Sequence, residues 1–287
     1  MGLKFDDLPK TAIHTLSEDL LERFADLPLL SRYDVYQRLM DYWAETMQDD
    51  VYLIAADGWV EAARPRSLVA DKDKKLKETP DLIIGKKKYK MDLLPPALVI
   101  ARFFAKEHAA IEGLQSAEET AARELEEFLE EQASGGEGEE GPLAEATNDK
   151  GKVTKGGVKE RLKALAGEPD SDEERDTLTR CLTLIEAESA AANAVKDAQA
   201  ALDGKVLARY ARLTEAEIKT LVVEDKWFAA IHAAIEGEAE RLTQRLAARV
   251  RELEERYAKP LPALEQEVEA FSARVGGHLE KMGLAWG

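Results

Sequence analysis

One cysteine, four histidines and an aromatic share of 6% are all that this 287-residue chain has of the residue types that most often build compact reactive centres. A single thiol, Cys181, excludes an internal disulfide framework and fits a reducing cytoplasm. It falls among Leu178, Leu182 and Ile185 on a helical pattern, the setting of a small buried thiol rather than a reactive one. His14, His108, His232 and His278 lie on four separate helical patterns, so no metal site is expected. No run reaches the roughly 20 apolar residues of a membrane span, and Met1 to Lys10 has no signal-peptide core. The reading is a soluble, cytoplasmic protein without a membrane partner.

Positive charge is also short. Lysine and arginine number 40 against 57 acidic residues, a net charge of −17. Phosphate affinity comes from cations that displace counterions, so any contact with a nucleic acid must be local. Two windows qualify: Arg64 to Lys90, with Lys72, Lys74, Lys75, Lys86, Lys87 and Lys88, and the stretch around Lys150, Lys152, Lys155, Lys159, Arg161 and Lys163. These twelve are the candidate phosphate contacts, positioning a duplex without reading its bases.

The familiar loops of catalysis are missing as well. Gly136-Glu137-Gly138 follows a helical pattern and sits among glutamates, Gly151-Lys152 lacks the rest of a phosphate loop, and Asp170-Ser171-Asp172 lacks the glycine and glutamate of a calcium loop. No nucleophile, base and orienting acid assemble.

What is present is apolar periodicity. From Asp225 to Tyr257 the residues Phe228, Ile231, Ile235, Ala239, Leu242, Leu246, Val250, Leu253 and Tyr257 recur in steps of three and four. Charges of both signs fill the other face. A helix of this length runs roughly 50 Å and requires a partner helix. The expected partner is the pattern beginning at Asp92, with Leu93, Ala97, Ile100, Phe104, Ile111, Leu114, Ala121, Leu125 and Phe128 at heptad spacing. A third long stripe, Cys181 to Val206, begins after a cap at Ser171 or Asp172, and a fourth runs from Leu264 to Met282 and stops at Gly283. Leu284 and Trp286 behind it are a candidate hydrophobic plug. Shorter helices are expected over Asp7 to Asp26, with Ser17 as N-cap, over Tyr33 to Trp43, over Val158 to Leu165, and from the capping box Thr214 to Glu217. Val51 to Ala55, apolar and β-branched before Asp57-Gly58, reads as a strand or hairpin, and Leu82 to Gly85 as a second short strand. The fold class is mainly α, with long antiparallel coiled-coil-like helices and a small N-terminal α+β segment. The expected organisation is a helical segment over 1–60, a basic loop with short strands over 61–92, and a long-helix region over 93–287 with an acidic, glycine-rich linker near 132–142.

Several stretches together carry a resemblance. Tyr33-Asp34-Val35-Tyr36-Gln37, Tyr42 to Asp50, Asp92-Leu93-Leu94-Pro95-Pro96 through Phe104, Asn148 to Lys155, Glu217 to Val223 and His278 to Gly283 resemble, in this order, the C-terminal half of the modification (HsdM-type) subunit of type I restriction-modification systems. That family is an N6-adenine DNA methyltransferase that uses S-adenosylmethionine and assembles with a specificity subunit, further modification subunits and a restriction subunit on double-stranded DNA. Its cofactor loop and its Asn-Pro-Pro-[Phe/Tyr] motif, which holds the flipped adenine, are absent here, so no catalytic or cofactor residue carries over. The resemblance implies a C-terminal portion, inactive alone, with S-adenosylmethionine bound only by the full-length subunit. It also implies that the long helices pack on the specificity subunit's coiled-coil spacers and help the complex close around DNA. The residues taken alone equally fit a free-standing coiled-coil scaffold or tether unrelated to DNA.

Overall fold

The computed structural model describes residues 8–26, 30–68, 78–133, 143–148, 152–167 and 171–284. In chain order these form α1 (Leu8–Arg23), α2 (Arg32–Tyr42), a π-helical turn (Trp43–Met47), α3 (Gln48–Ala62), β1 (Arg66–Leu68), β2 (Leu82–Ile84), β3 (Lys87–Lys90), α4 (Pro96–Phe103), α5 (Ala105–Ala133), α6 (Lys155–Ala164), α7 (Asp172–Tyr210), α8 (Glu215–Lys219), a π-helical stretch (Thr220–Phe228), α9 (Ala229–Arg256) and α10 (Leu261–Lys281). The architecture is mainly helical with one small antiparallel sheet of order β1-β3-β2. The chain divides into two compact units, residues 50–226 and residues 1–49 with 227–287.

In the first of these units, α5 and α7 form a long antiparallel pair. Lys205, near the end of α7, reaches Glu107 at the start of α5 at 3.2 Å, while Arg180, near the start of α7, stacks over Phe128 toward the end of α5. Heptad spacing makes them neighbours: Ile111, Leu125 and Phe128 on one helix, and Leu178, Cys181, Leu202 and Val206 on the other, are buried. At the Phe128 end, Leu143, Ala146, Val158 and Leu165 complete a core around Leu178 and Cys181. α6 docks here. Thr154 caps it by accepting from the Gly157 amide, and Gly157 has no alternative, because a Cβ there would lie 2.4 Å from the Ala146 carbonyl oxygen.

At the other end, Leu93, Leu94 and Val99 are sealed off from solvent and the Tyr210 hydroxyl donates to the Leu94 carbonyl oxygen at 2.6 Å. α4 begins with Pro95 as N-cap and Pro96 in the first turn, where a missing amide costs nothing. The helical run does not pass unbroken through Phe104, whose φ of −130° separates α4 from α5. The sheet is pinned by Arg66, which holds Asp92 and Glu78.

The second unit is organised by α2 and α9. Val35, Leu39, Trp43 and Met47 are buried on the α2 side, and α9 meets them with a face that includes the buried Glu238, paired to Arg241.

Three expectations are corrected. Val51 to Ala55 is helical and belongs to α3; its turn signal is real, since Gly58 has a φ of 77°, but it interrupts a helix instead of closing a hairpin. Ser17 is no cap: it is buried in the middle of α1, and its hydroxyl donates to the Ile13 carbonyl oxygen at 2.6 Å, four residues back. α5 pairs with α7 and α9 with α2, in place of the expected pairing of the Asp92 helix with the Asp225–Tyr257 helix. The Thr214 to Glu217 capping box is present, and Gly283 with a φ of 76° ends α10 as expected. The linker near 132–142 falls almost wholly outside the described residues, as does Trp286, while Leu284 is exposed rather than plugged into a core.

Candidate functional site

The two ends of α9 have different surroundings. Its N-terminal half is covered by α2: Ile231, Ile235, Ala239 and Leu242 are partly or mostly shielded, as amphipathic packing requires. Beyond Leu242 the same stripe is largely bare, with Leu253 partly shielded. Leu246 is 59% exposed, Val250 55% and Tyr257 70%. After the break at Pro260 the stripe resumes on α10, which buries none of its residues; Leu261, Val268, Phe271 and Val275 are 68%, 64%, 59% and 49% exposed. Isolated exposed apolar residues are ordinary, but two successive helices that each keep a row of apolar residues open to water offer the kind of surface that interactions use.

The charges along this surface are segregated. Arg241, Arg245, Arg249 and Arg251 occur in α9 with no acidic residue between them, whereas Glu265, Glu267 and Glu269 open α10 with no basic one. Arg249 and Arg256 both hold Glu252, and Lys259 holds Glu267 at 2.7 Å. Each pair is exposed and contributes little to stability, so the pattern matters as a field presented to a partner.

The candidate phosphate contacts are dispersed by the fold. Lys72, Lys74, Lys75 and Lys150 lie outside the described residues. Lys86, Lys87 and Lys88 form the tip of the β2–β3 hairpin, turned by Gly85 at a φ of 61°, and have no acidic partner among the described residues. Lys155 and Lys159 are both used internally, at 3.1 and 3.4 Å from Glu186, and their hydrogen bonds hold that carboxyl below its usual range. Arg161 is half-buried and bidentate to Glu174 at 2.7 and 3.2 Å, with Glu145 at 2.5 Å. Lys152 and Lys163 are exposed. The α6 cations thus act first as struts between α6 and α7, and the hairpin lysines are the freer set.

No family model, curated protein or solved structure matches the chain.

Catalytic geometry is not assembled among the described residues. No three His, Cys, Asp or Glu side chains converge to hold a metal. Burial pushes the Cys181 thiol up in pKa, away from the thiolate that a nucleophile needs. The best-formed buried polar cluster is Lys226, whose ammonium donates to both carboxylate oxygens of Asp50 at 2.8 and 2.7 Å and to the Leu93 carbonyl oxygen at 2.7 Å. It ties together the start of α3, the Leu93 turn and the π-helical stretch, and its polar atoms face each other, not an open cleft. Sequence reasoning missed it, because Asp50 and Lys226 are 176 positions apart. The groove beside β2, lined by Ile83, Ile84, Glu118, Lys196, Gln199 and Asp203 among others, has no serine, threonine, cysteine or histidine in its lining. No helix among the described residues is long and apolar enough to cross a membrane.

Proposed function

We propose that this chain is the C-terminal helical part of the modification subunit of a type I restriction-modification system, serving assembly with the specificity subunit and closure of the complex around DNA. The observation that carries the proposal is the bare apolar stripe on α9 and α10, a surface shaped to receive coiled-coil helices. The ordered resemblance from Tyr33 to Gly283 supplies the identity of the partner. In this reading the chain performs no chemistry: methyl transfer from S-adenosylmethionine belongs to the full-length subunit, and the other modification subunits and the restriction subunit join through the assembled complex. Lys86, Lys87 and Lys88 then contact phosphates, adding affinity without sequence preference. The reading places the protein in the cytoplasm.

Co-expression with the specificity subunit of the same system tests the proposal directly. The two are expected to co-purify, and failure to do so refutes it in favour of an independent scaffold. For the DNA arm, replacing Lys86, Lys87 and Lys88 by glutamate should weaken DNA binding by the reconstituted complex and flatten its salt dependence; an unchanged salt slope removes these lysines from the interface.

A further inference from the structure

We propose that α10, whose stripe is exposed in the structure as is that of the distal half of α9, is a strap able to fold back on this half of α9 in the same chain, so that this open form exchanges with a closed hairpin that predominates in the free chain. The proposal rests on α9 and α10 alone and does not depend on the identity of any partner.

The argument begins with the connection. Only Tyr257, Ala258, Lys259 and Pro260 separate α9 from α10, the loop length typical of antiparallel helix pairs. Pro260 caps α10 with extended backbone and Pro262 sits in its first turn, so the break is fixed at one place. A hairpin folded here has its register dictated by the loop, and the two stripes must then match from the hinge outward. They do. Counted from Tyr257, the apolar positions of α9 lie 4, 7, 11 and 15 residues away, at Leu253, Val250, Leu246 and Leu242. Counted from Leu261, those of α10 lie 3, 7, 10 and 14 residues away, at Leu264, Val268, Phe271 and Val275. The offsets never differ by more than one residue. Tyr257 thus meets Leu261, Leu253 meets Leu264, Val250 meets Val268 and Leu246 meets Phe271.

Charges follow the same register. Arg251 falls opposite Glu267 and Arg249 opposite Glu269, so the basic run of α9 lies along the acidic opening of α10. Farther out, Glu240 falls opposite His278, and Glu236 lies one residue from the position opposite Lys281. Glu252 lies one residue from the position opposite Glu265, but it already holds Arg249 and Arg256; Glu238 falls level with Glu280, but it is buried and holds Arg241. Gly276 and Gly277, opposite Leu242 and Arg241, leave space beside the segment of α9 that α2 covers. A second copy of the chain offers the same residues, yet the four-residue connection presents its own α10 at an effective concentration of about millimolar, above the working concentration of a free chain.

The test uses the full chain with Val250→Cys and Val268→Cys introduced together and treated with a bis-maleimide of about 8 Å reach, the interaxial spacing of packed helices. Cys181 is buried and serves as the native background. Rapid crosslinking within monomers, unchanged on dilution, is expected. Crosslinks found only between chains, or none at all at low concentration, overturn the proposal. Hydrogen exchange supplies the second reading, because a crosslinker also traps rare encounters. Amides of 246–253 and 264–275 should exchange about tenfold more slowly in the native chain than in the Phe271→Asp variant, and equal rates overturn closure. Phe271 is exposed and α10 buries nothing, so this variant folds as the parent does.

Discussion

Replacing Lys226 by methionine removes the ammonium that joins three separated segments of the first unit. The side chains of Lys226 and Asp50 are 11% and 5% exposed, so bulk water does not solvate either charge. Three charge-assisted hydrogen bonds disappear together: two to the Asp50 oxygens, at 2.8 and 2.7 Å, and one to the Leu93 carbonyl, at 2.7 Å. Methionine fills most of the space of the lysine stem, so the loss is electrostatic and not a cavity. Breaking a buried pair from one side costs about 3–5 kcal/mol, because the remaining carboxylate stays desolvated without its cation. Against a total stability of about 5–15 kcal/mol, such a loss is large. Urea unfolding at pH 7, followed by far-ultraviolet circular dichroism with free fits of midpoint and slope, measures it. The double variant Asp50→Asn with Lys226→Met, which removes both charges, should recover at least half of the loss. A cost below about 1 kcal/mol for Lys226→Met, or a double variant no better than the single one, refutes the assignment of a desolvated structural pair.

Other consequences are as direct. Leu178, fully buried at the junction of α5, α6 and α7, should cost about 2–5 kcal/mol when changed to alanine, read in the same urea experiment. Asp92 is held below its usual pKa, chiefly by its hydrogen bond from Arg66, so the stability it adds is present above the ordinary carboxylate range and is lost as pH falls through its lowered value. An Asp92→Asn variant should therefore be less stable than the parent at neutral pH, and the difference should shrink on acidification. Cys181, buried and raised in pKa, should resist alkylation at pH 8 in the native chain and react promptly in urea.

The long elements were legible because their periodicity is written into the chain: the stripes from Ile111 to Phe128, Cys181 to Val206 and Leu264 to Met282 each became a helix. Pairing was not legible, since a stripe states that a face is apolar and not what lies on it; α5 pairs with α7, where Leu178 and Cys181 join the α6 core, and α9 pairs with α2. Val51 to Ala55 misled because five apolar, β-branched and aromatic residues are too few to distinguish a strand from a buried helical turn. Ser17 misled because its hydroxyl bonds equally well to the preceding turn. Among the basic residues, sequence shows charge but not commitment. Lys155, Lys159 and Arg161 are tied to Glu186, Glu174 and Glu145, while Lys86 to Lys88 stand at a hairpin tip. The open half of α9 is visible in the sequence as a stripe, and only the fold shows that α2 stops short of it.

The most direct measurement is a calorimetric titration of the chain with the specificity subunit, comparing the native sequence with a Val250→Asp, Val268→Asp variant. Both positions are exposed, so the variant folds as the parent does. The account predicts measurable binding by the native chain, with a negative heat-capacity change from apolar burial, and binding weakened at least about a hundredfold by the two charges. Equal affinity for the two chains, or no binding by the native one, would contradict it.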